Sequence, residues 1–128
     1  MTPSLDALAT GKYLLLTTLR RDGTPVATPV GLARDDDALL VITQADSGKV
    51  RRIRANPAVT VASCDARGRS AGPAVDAVAE LLDDAGTARA RSIIADRYGL
   101  LGRLLMWRGR RTAQVGIRIR PVPDAGRP

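Results

Sequence analysis

Histidine is absent from the chain, and cysteine occurs once, at Cys64. Because histidine is the usual metal ligand and the usual general base at neutral pH, the sequence argues against catalytic triads and zinc hydrolysis. A single cysteine can form neither an internal disulfide nor a cysteine cluster for zinc. We therefore expect no metal site, and we expect Cys64 to be a small buried hydrophobic residue.

Long apolar runs are missing as well. No stretch approaches the roughly 20 apolar residues that span a bilayer. The N-terminal MTPSLDALATGKY lacks the basic-then-apolar layout of a signal peptide. These two absences predict a cytoplasmic protein without a membrane partner. Aromatic residues make up 2% of the chain, with no phenylalanine, which leaves almost no stacking platforms for single-stranded nucleic acid.

Positive charge is what the chain has in excess. Its net charge is +7 and its pI is near 10.9, which favours nucleic acid, a membrane surface or a phosphorylated ligand as partner. The 128 residues, of which 45% are hydrophobic and 26% charged, fit one globular domain. We expect this domain to cover residues 1–122 and residues 123–128 to form a disordered C-terminal tail.

Strands are predicted early in the chain. Two β-prone runs, residues 13–20 and 24–32, flank Asp22-Gly23, and Asp-Gly is a strong hairpin pattern because it tolerates positive φ. After an acidic turn, the apolar run ALLVIT at residues 38–43 is typical of a strand buried on both faces. We expect these three strands to form a meander.

The remaining pattern predicts a small antiparallel β-barrel of six or seven strands, mainly β with minor α. A short helix at residues 49–55 ends at Asn56-Pro57, because proline disfavours helix in the preceding residue. A longer helix at residues 85–109 is expected to break at Gly99 and Gly102. The other predicted strands cover residues 58–64, 74–82 and 113–122.

The first half of the chain resembles a known family. The residues that carry the likeness are KYLLLTTLRRDGTPVATPV (residues 12–30) and VITQADSGKVRRIRANPAVTVASCDARG (residues 41–68). Their ordered motifs resemble those of the pyridoxamine 5'-phosphate oxidase-like (PPOX-class) split β-barrel flavoproteins, and within them the F420-dependent oxidoreductases. Gly31 departs from the family pattern, because relatives often carry a large aromatic residue there. At this position the wall of the cofactor pocket that the resemblance implies is either open or filled by another part of the chain.

Ser47-Gly48 opens the short helix and is a candidate anion site. Unpaired N–H groups and the positive end of the helix dipole converge there, and glycine allows a phosphate to approach closely. Lys49 adds a charge in the first turn, and Arg52 shares its face of the helix, whereas Arg51 points away. The alternatives are a solvated helix face for the two cations and a plain N-cap for Ser47.

The resemblance implies further cofactor-binding residues. Thr43, at the end of the third strand, and the segment Thr28, Pro29 and Val30 would hold the isoalloxazine-like ring and its polar edge. The alternative is that both threonines are ordinary strand residues, since threonine is β-prone. No side chain is assigned a catalytic role, which agrees with hydride transfer carried by the cofactor.

The resemblance implies a homodimeric oxidoreductase that binds coenzyme F420, with FMN as the alternative cofactor and a small organic molecule as substrate. The cofactor site would lie near the dimer interface, with four valines available for a shared sheet face: Val26, Val30, Val59 and Val61. Arginines after Lys49 and in the turn at residues 67–69 would follow the polyanionic tail of F420. A non-catalytic carrier or sensor of F420, flavin or tetrapyrrole is the second hypothesis. A nucleic-acid binder is a third, which the scarcity of aromatic residues disfavours.

Overall fold

The computed structural model describes residues 5–11, 13–70, 72–109 and 113–122. Along this part of the chain, helices and strands follow one another as α1 (Leu5–Thr10), β1 (Tyr13–Leu19), β2 (Pro25–Gly31), β3 (Ala33–Asp35), β4 (Ala38–Gln44), α2 (Gly48–Ala55), β5 (Ala58–Cys64), β6 (Val75–Leu81), α3 (Asp84–Gly109) and β7 (Gln114–Pro121).

The predicted elements are all present, and no predicted bound differs from the observed one by more than one residue. The hairpin between β1 and β2 turns at Gly23, which has a φ of 87°, while Asp22 accepts a hydrogen bond from the Thr24 N–H at 2.9 Å. Two short elements, α1 and β3, were not predicted. The predicted tail at residues 123–128 lies outside the described residues.

The seven strands form one sheet in the order β2-β1-β5-β6-β7-β4-β3, and every pairing is antiparallel. The two outermost strands, β2 and β3, are consecutive in the chain and are joined only by Leu32, which is fully buried. The sheet therefore curls until its two edges meet at Leu32. This confirms the mainly β, split-barrel fold.

The predicted meander of the first three strands is wrong. The hairpin β1–β2 forms, but β4 pairs with β3 and β7 instead of β2. Residue 33 begins a new short strand that turns away from β1 and pairs with β4, as Ala33 opposite Leu40. A strong local turn fixed the first pairing, whereas the partner of β4 comes from the far end of the chain.

The interior of the barrel is filled from alternate positions of the strands. In β1 the inward residues Leu14, Leu16 and Thr18 are fully buried, and the residues between them are partly exposed. Helix α2 closes one end of the barrel and contributes Ile53 to the same core. The apolar run of β4 is buried on both faces, as predicted, because Val41 packs in the interior and Leu40 packs beneath α3.

Helix α3 covers the outer surface of β4 and β7. A Cβ at Gly116 of β7 would lie only 3.0 Å from the Leu82 side chain and 3.3 Å from Ala90, so glycine permits the close packing of the helix. The helix kinks at Gly99, where φ is 65° and ψ is −145°, and helical assignment continues through Gly102. Among the described residues, no helix is both long enough and apolar enough to cross a membrane.

Candidate functional site

The N-terminus of α2 has the geometry that the Ser-Gly motif predicts. Ser47 adopts extended backbone angles, φ −70° and ψ 158°, and its hydroxyl accepts a hydrogen bond from the Val50 N–H at 3.4 Å. The first turn contains no acidic side chain. Ser47 therefore caps the helix, which was the alternative considered for it, and the first turn of the helix carries no carboxylate.

Arg52 folds back over the start of its own helix. Its Nε donates a 2.6 Å hydrogen bond to the hydroxyl of Thr18, which is fully buried on β1. An ideal Cβ at Gly48 would lie 2.6 Å from Nη1 of Arg52, so the guanidinium occupies space that only glycine leaves open. The predicted pair Gly48 and Arg52 therefore meet at one point.

Lys49 lies beside Arg52 in a partly buried position. Burial, and then the positive charge of Arg52, lower the pKa of Lys49 below its ordinary value. Arg51 and Arg54 are exposed, in keeping with the prediction that Arg51 points away. Lys49 and Arg52 lie close together, and the first turn of α2 has no carboxylate to offset their charge. The start of the helix therefore has a local excess of positive charge.

Thr28 provides an unpaired hydroxyl close to this point. It faces the barrel interior on β2, opposite Leu16 of β1, and its Oγ1 is buried without a hydrogen-bond partner among the described residues. Thr18 pairs with Val26, so Thr28 is the diagonal neighbour of Thr18 on the same face. A buried hydroxyl without a partner costs free energy, which a ligand acceptor or donor would recover.

The other predicted residues of β2 divide between two faces. Val30 packs against the interior core, whereas Pro29 is exposed on the outer face and lies against Gly68, 3.7 Å from its ideal Cβ position. Thr43 is partly buried on the inward face of β4, paired with Val115. It leads into α2 through a turn in which Ser47 N–H donates to the Gln44 carbonyl at 3.1 Å.

The turn at residues 67–69 lies on the outer face of the sheet, beside Leu15 and Pro29. It follows β5, whose last residue Cys64 pairs with Tyr13 at the opposite end of β1 from Thr18. Five residues of strand separate Tyr13 from Thr18, a distance of about 17 Å at roughly 3.4 Å per residue. The turn therefore lies away from Arg52, and the contact of its arginines with an extended F420 tail stays a prediction.

The space at Gly31 is filled from α3. A Cβ at residue 31 would lie 3.4 Å from the Tyr98 hydroxyl and 3.7 to 3.8 Å from its ring. The same hydroxyl accepts from the Leu32 N–H at 3.0 Å and donates to the Leu32 carbonyl at 3.1 Å. Arg97 adds bonds to the carbonyls of Leu32, at 2.9 Å, and Gly11, at 2.7 Å. The departure at Gly31 thus leaves no opening on that side.

The four valines proposed for a shared sheet face lie on the inward face of the sheet instead. Val59 and Val61 are buried in the barrel core, and Val30 packs against it. The outer face of the sheet instead carries a shallow apolar groove of about 310 Å³. Its lining includes Leu19, Pro25, Ala58, Val78 and Val122. Its large hydrophobic side chains Val78 and Val122 are exposed, at 48% and 45%.

Cys64 is buried and unpaired, as expected. Burial, followed by the charge of Asp65, raises the pKa of its thiol, which disfavours the reactive thiolate. The described residues include no cluster of three or more potential metal ligands.

An antiparallel sheet curled on itself, with a cationic helix start closing one end, defines a split β-barrel protein. The model of the pyridoxamine 5'-phosphate oxidase family matches residues 2–115, and the chain belongs to this family. No curated protein matches the chain at a significant level.

Solved structures share the fold over most of their length. An F420 reductase is 24% identical with a TM-score of 0.65, over 96% of this chain and 97% of that one. HutZ, a heme storage protein from Vibrio cholerae, is 18% identical with a TM-score of 0.67, over 88% and 82%. An FAD-binding protein from Mesorhizobium loti is 23% identical with a TM-score of 0.67, over 92% and 84%. At these identities the likeness is one of fold.

The residues present fit a flavin-type cofactor that carries a phosphate. Gly48 leaves room for the Arg52 guanidinium at the helix start, Lys49 and Arg52 supply charge, and Thr28 offers an unpaired buried hydroxyl. Sequence reasoning missed Thr18 and Tyr98 as neighbours of the site. The alternation of β1 could have assigned a polar residue to its inward face, but the contact of Tyr98 with Gly31 has no local pattern.

Proposed function

We propose that the chain is an oxidoreductase that binds coenzyme F420 with the phosphate at the start of α2. The convergence of Lys49 and Arg52 beside Gly48, with no carboxylate in that turn, is the observation that supports this most directly. Thr28 and Thr43 face the barrel interior and would meet the polar edge of the ring. The fold likeness to an F420 reductase points the same way.

Bound F420 would supply a hydride to, or accept one from, a small organic substrate. The protein would contribute binding and orientation, because the chain has no histidine to act as a general base. Lys49 and Arg52 would fix the phosphate end, and the neighbouring β2 segment would hold the ring. The cytoplasmic location expected from the sequence is part of the same proposal.

F420 is preferred to FMN in this proposal because of charge beyond the phosphate. FMN ends in one phosphate, whereas F420 continues into a lactyl and oligoglutamate tail. Exposed arginines are available for this tail on α2, on the β1–β2 hairpin and in the turn after β5, namely Arg51, Arg54, Arg20, Arg21, Arg67 and Arg69. Because these side chains are in water, their attraction for the tail is screened by salt.

Competition titrations with F420 and FMN at low salt and at about 0.5 M salt test the proposal. We expect F420 to bind more tightly, with a preference that shrinks as salt rises. FMN binding equally or better at low salt would return the protein to the flavin-binding members of its family. Failure of both to bind would refute the cofactor assignment altogether.

A tetrapyrrole carrier is the second candidate, and the fold likeness to a heme storage protein favours it. The absence of histidine argues against it, because histidine is the common axial ligand of heme iron. Two experiments separate these functions. One is a heme titration followed in the Soret band, and the other is an assay for turnover of reduced F420 with enones and quinones. Stoichiometric heme binding without turnover would favour the carrier.

We also propose that two copies of the chain associate through the apolar groove on the outer face, which replaces the valine face expected from the sequence. Leu19 and Pro25 line this groove and flank the hairpin next to Thr18, so a second copy would lie near the cofactor site. Val78→Glu should give a monomer in light scattering after size exclusion, whereas Ala85→Glu on α3 should not. A monomeric parent protein would refute this interface.

A further inference from the structure

We propose that Thr18 is a positioning residue. Its buried hydroxyl holds the Arg52 side chain over Gly48, where the guanidinium can bind an anion. This inference rests on the proposed function and assigns a role to a residue outside the motifs that led to it. Thr18 is on the inward face of β1, has no exposed surface and pairs with Val26. Its Oγ1 accepts the 2.6 Å hydrogen bond from Arg52 Nε.

Which nitrogen of Arg52 donates to Thr18 matters for anion binding. Arginine carries five N–H donors in a planar fork, and Nε supplies one of them. With Nε held by Thr18, the plane of the guanidinium is fixed and the Nη groups remain for a ligand. Nη1 already lies against Gly48, at the start of α2. Much of the rotamer entropy that a free arginine loses on binding is therefore lost before the anion arrives.

A second buried threonine shows what a purely structural hydroxyl does in this fold. Among the described residues, Thr87 is the other buried polar side chain, and its Oγ1 accepts from the Gly116 backbone N–H at 2.9 Å. That bond joins α3 to β7. Thr18 instead holds a side chain that ends at the candidate anion site. Valine has nearly the same shape as threonine, so what a valine at residue 18 would lose is the acceptor for Arg52 Nε.

The test compares Thr18→Val, Thr18→Ser, Arg52→Ala and the double variant Thr18→Val/Arg52→Ala. Inorganic phosphate, FMN and F420 are titrated separately against each protein, and unfolding by denaturant is measured in parallel. We expect Thr18→Val to weaken phosphate binding about threefold to tenfold, the equivalent of one ordinary hydrogen bond. Thr18→Ser should retain the parent affinity. In the Arg52→Ala background, Thr18→Val should have no further effect on binding.

The double-mutant cycle separates positioning from general stability. If Thr18 served only the fold, its replacement would lower the free energy of unfolding and leave phosphate affinity unchanged, or would act additively with Arg52→Ala. Either result overturns the inference. A parent protein that binds phosphate with this dependence on Thr18, but neither F420 nor FMN, refutes the proposed function and leaves the role of Thr18 standing. A parent protein that binds neither phosphate, FMN nor F420 overturns both.

Discussion

The hydroxyl of Tyr98 lies 3.4 Å from the position that a Cβ would take at Gly31, so a side chain of α3 fills the space that β2 leaves empty. The same hydroxyl bonds both polar backbone groups of Leu32. Because Leu32 joins the two edge strands of the sheet, this contact fastens the barrel where its edges meet.

Tyr98→Phe should lower the free energy of unfolding by about 1 to 3 kcal/mol, because it leaves the buried N–H of Leu32 without its partner. The Leu32 carbonyl still accepts from Arg97. Denaturant unfolding measures the loss. Tyr13→Phe is the matched control, since no described residue bonds the Tyr13 hydroxyl, and its effect should stay within about 0.5 kcal/mol. Equal losses in the two variants would contradict a specific role for Tyr98.

Lys49→Ala and Arg52→Ala should each weaken F420 binding by about 1.5 to 3 kcal/mol, the range for hydrogen bonds to charged groups. Arg51→Ala is the matched control, because Arg51 is exposed on the same helix. Isothermal titration measures all three, with unfolding curves for Arg52→Ala because that change also leaves Thr18 unpaired. Small and equal losses at the three positions would indicate a diffuse basic surface.

Gly48→Ala should separate binding from stability. A Cβ at residue 48 would collide with Nη1 of Arg52 and displace the guanidinium, so affinity for F420 or phosphate should fall. Stability should change by less than about 1 kcal/mol, because the helix propensity gained with alanine opposes the loss of the Arg52–Thr18 hydrogen bond. Gly72→Ala, where a Cβ would meet no atom within 4 Å, should alter neither quantity. Retained affinity in Gly48→Ala would mean that the position of Arg52 is unimportant.

Asp35 should govern stability in acid. It accepts hydrogen bonds from Arg89 at 2.6 and 2.8 Å and from Arg118 at 3.0 Å, and these interactions, Arg89 foremost, lower its pKa to about 2. Because the folded pKa is below the unfolded one, the contribution is complete above about pH 4 and is lost as pH falls towards 2. Asp35→Asn should cost about 1 to 2 kcal/mol at pH 7, a range reduced because Arg89 is 59% exposed.

The pH dependence itself is measured by urea unfolding between pH 2 and 7. The parent protein should lose stability faster than Asp35→Asn does between pH 4 and pH 2. Asp37→Asn is the control, because that carboxylate is 71% exposed and its replacement should change stability by less than about 0.5 kcal/mol. Parallel curves for the parent and Asp35→Asn would show that Asp35 does not carry the effect.

Local patterns predicted the elements of the fold well. The alternation in β1 and the Asp22-Gly23 turn place the first hairpin, and Ser47 and Pro57 bracket α2. The alternation of side chains along a strand assigns its residues to two faces, but it does not show which face lies inside the barrel. For that reason Val59 and Val61 were expected on a shared surface and instead lie in the core.

Contacts between distant parts of the chain could not be predicted in the same way. The three residues of β3 are too few to form a pattern, and their strand exists because β4 pairs with them. Gly31 was recognised as a departure, yet the side chain that covers it arrives from α3. The candidate site was found through Ser47 and Gly48, whose effect on the backbone is local, whereas the bond from Arg52 to Thr18 depends on tertiary packing.

Because β7 lies between β4 and β6, the sheet cannot be completed until β7 has been synthesised. Both neighbours expose unpaired edges until residues 114–121 have left the ribosome, and unpaired edges associate with other chains. The bond between Arg118 and Asp35, 83 positions apart, cannot form earlier either. The barrel therefore closes after translation of its last strand, and premature termination before Gln114 releases a chain prone to aggregation rather than a smaller folded domain.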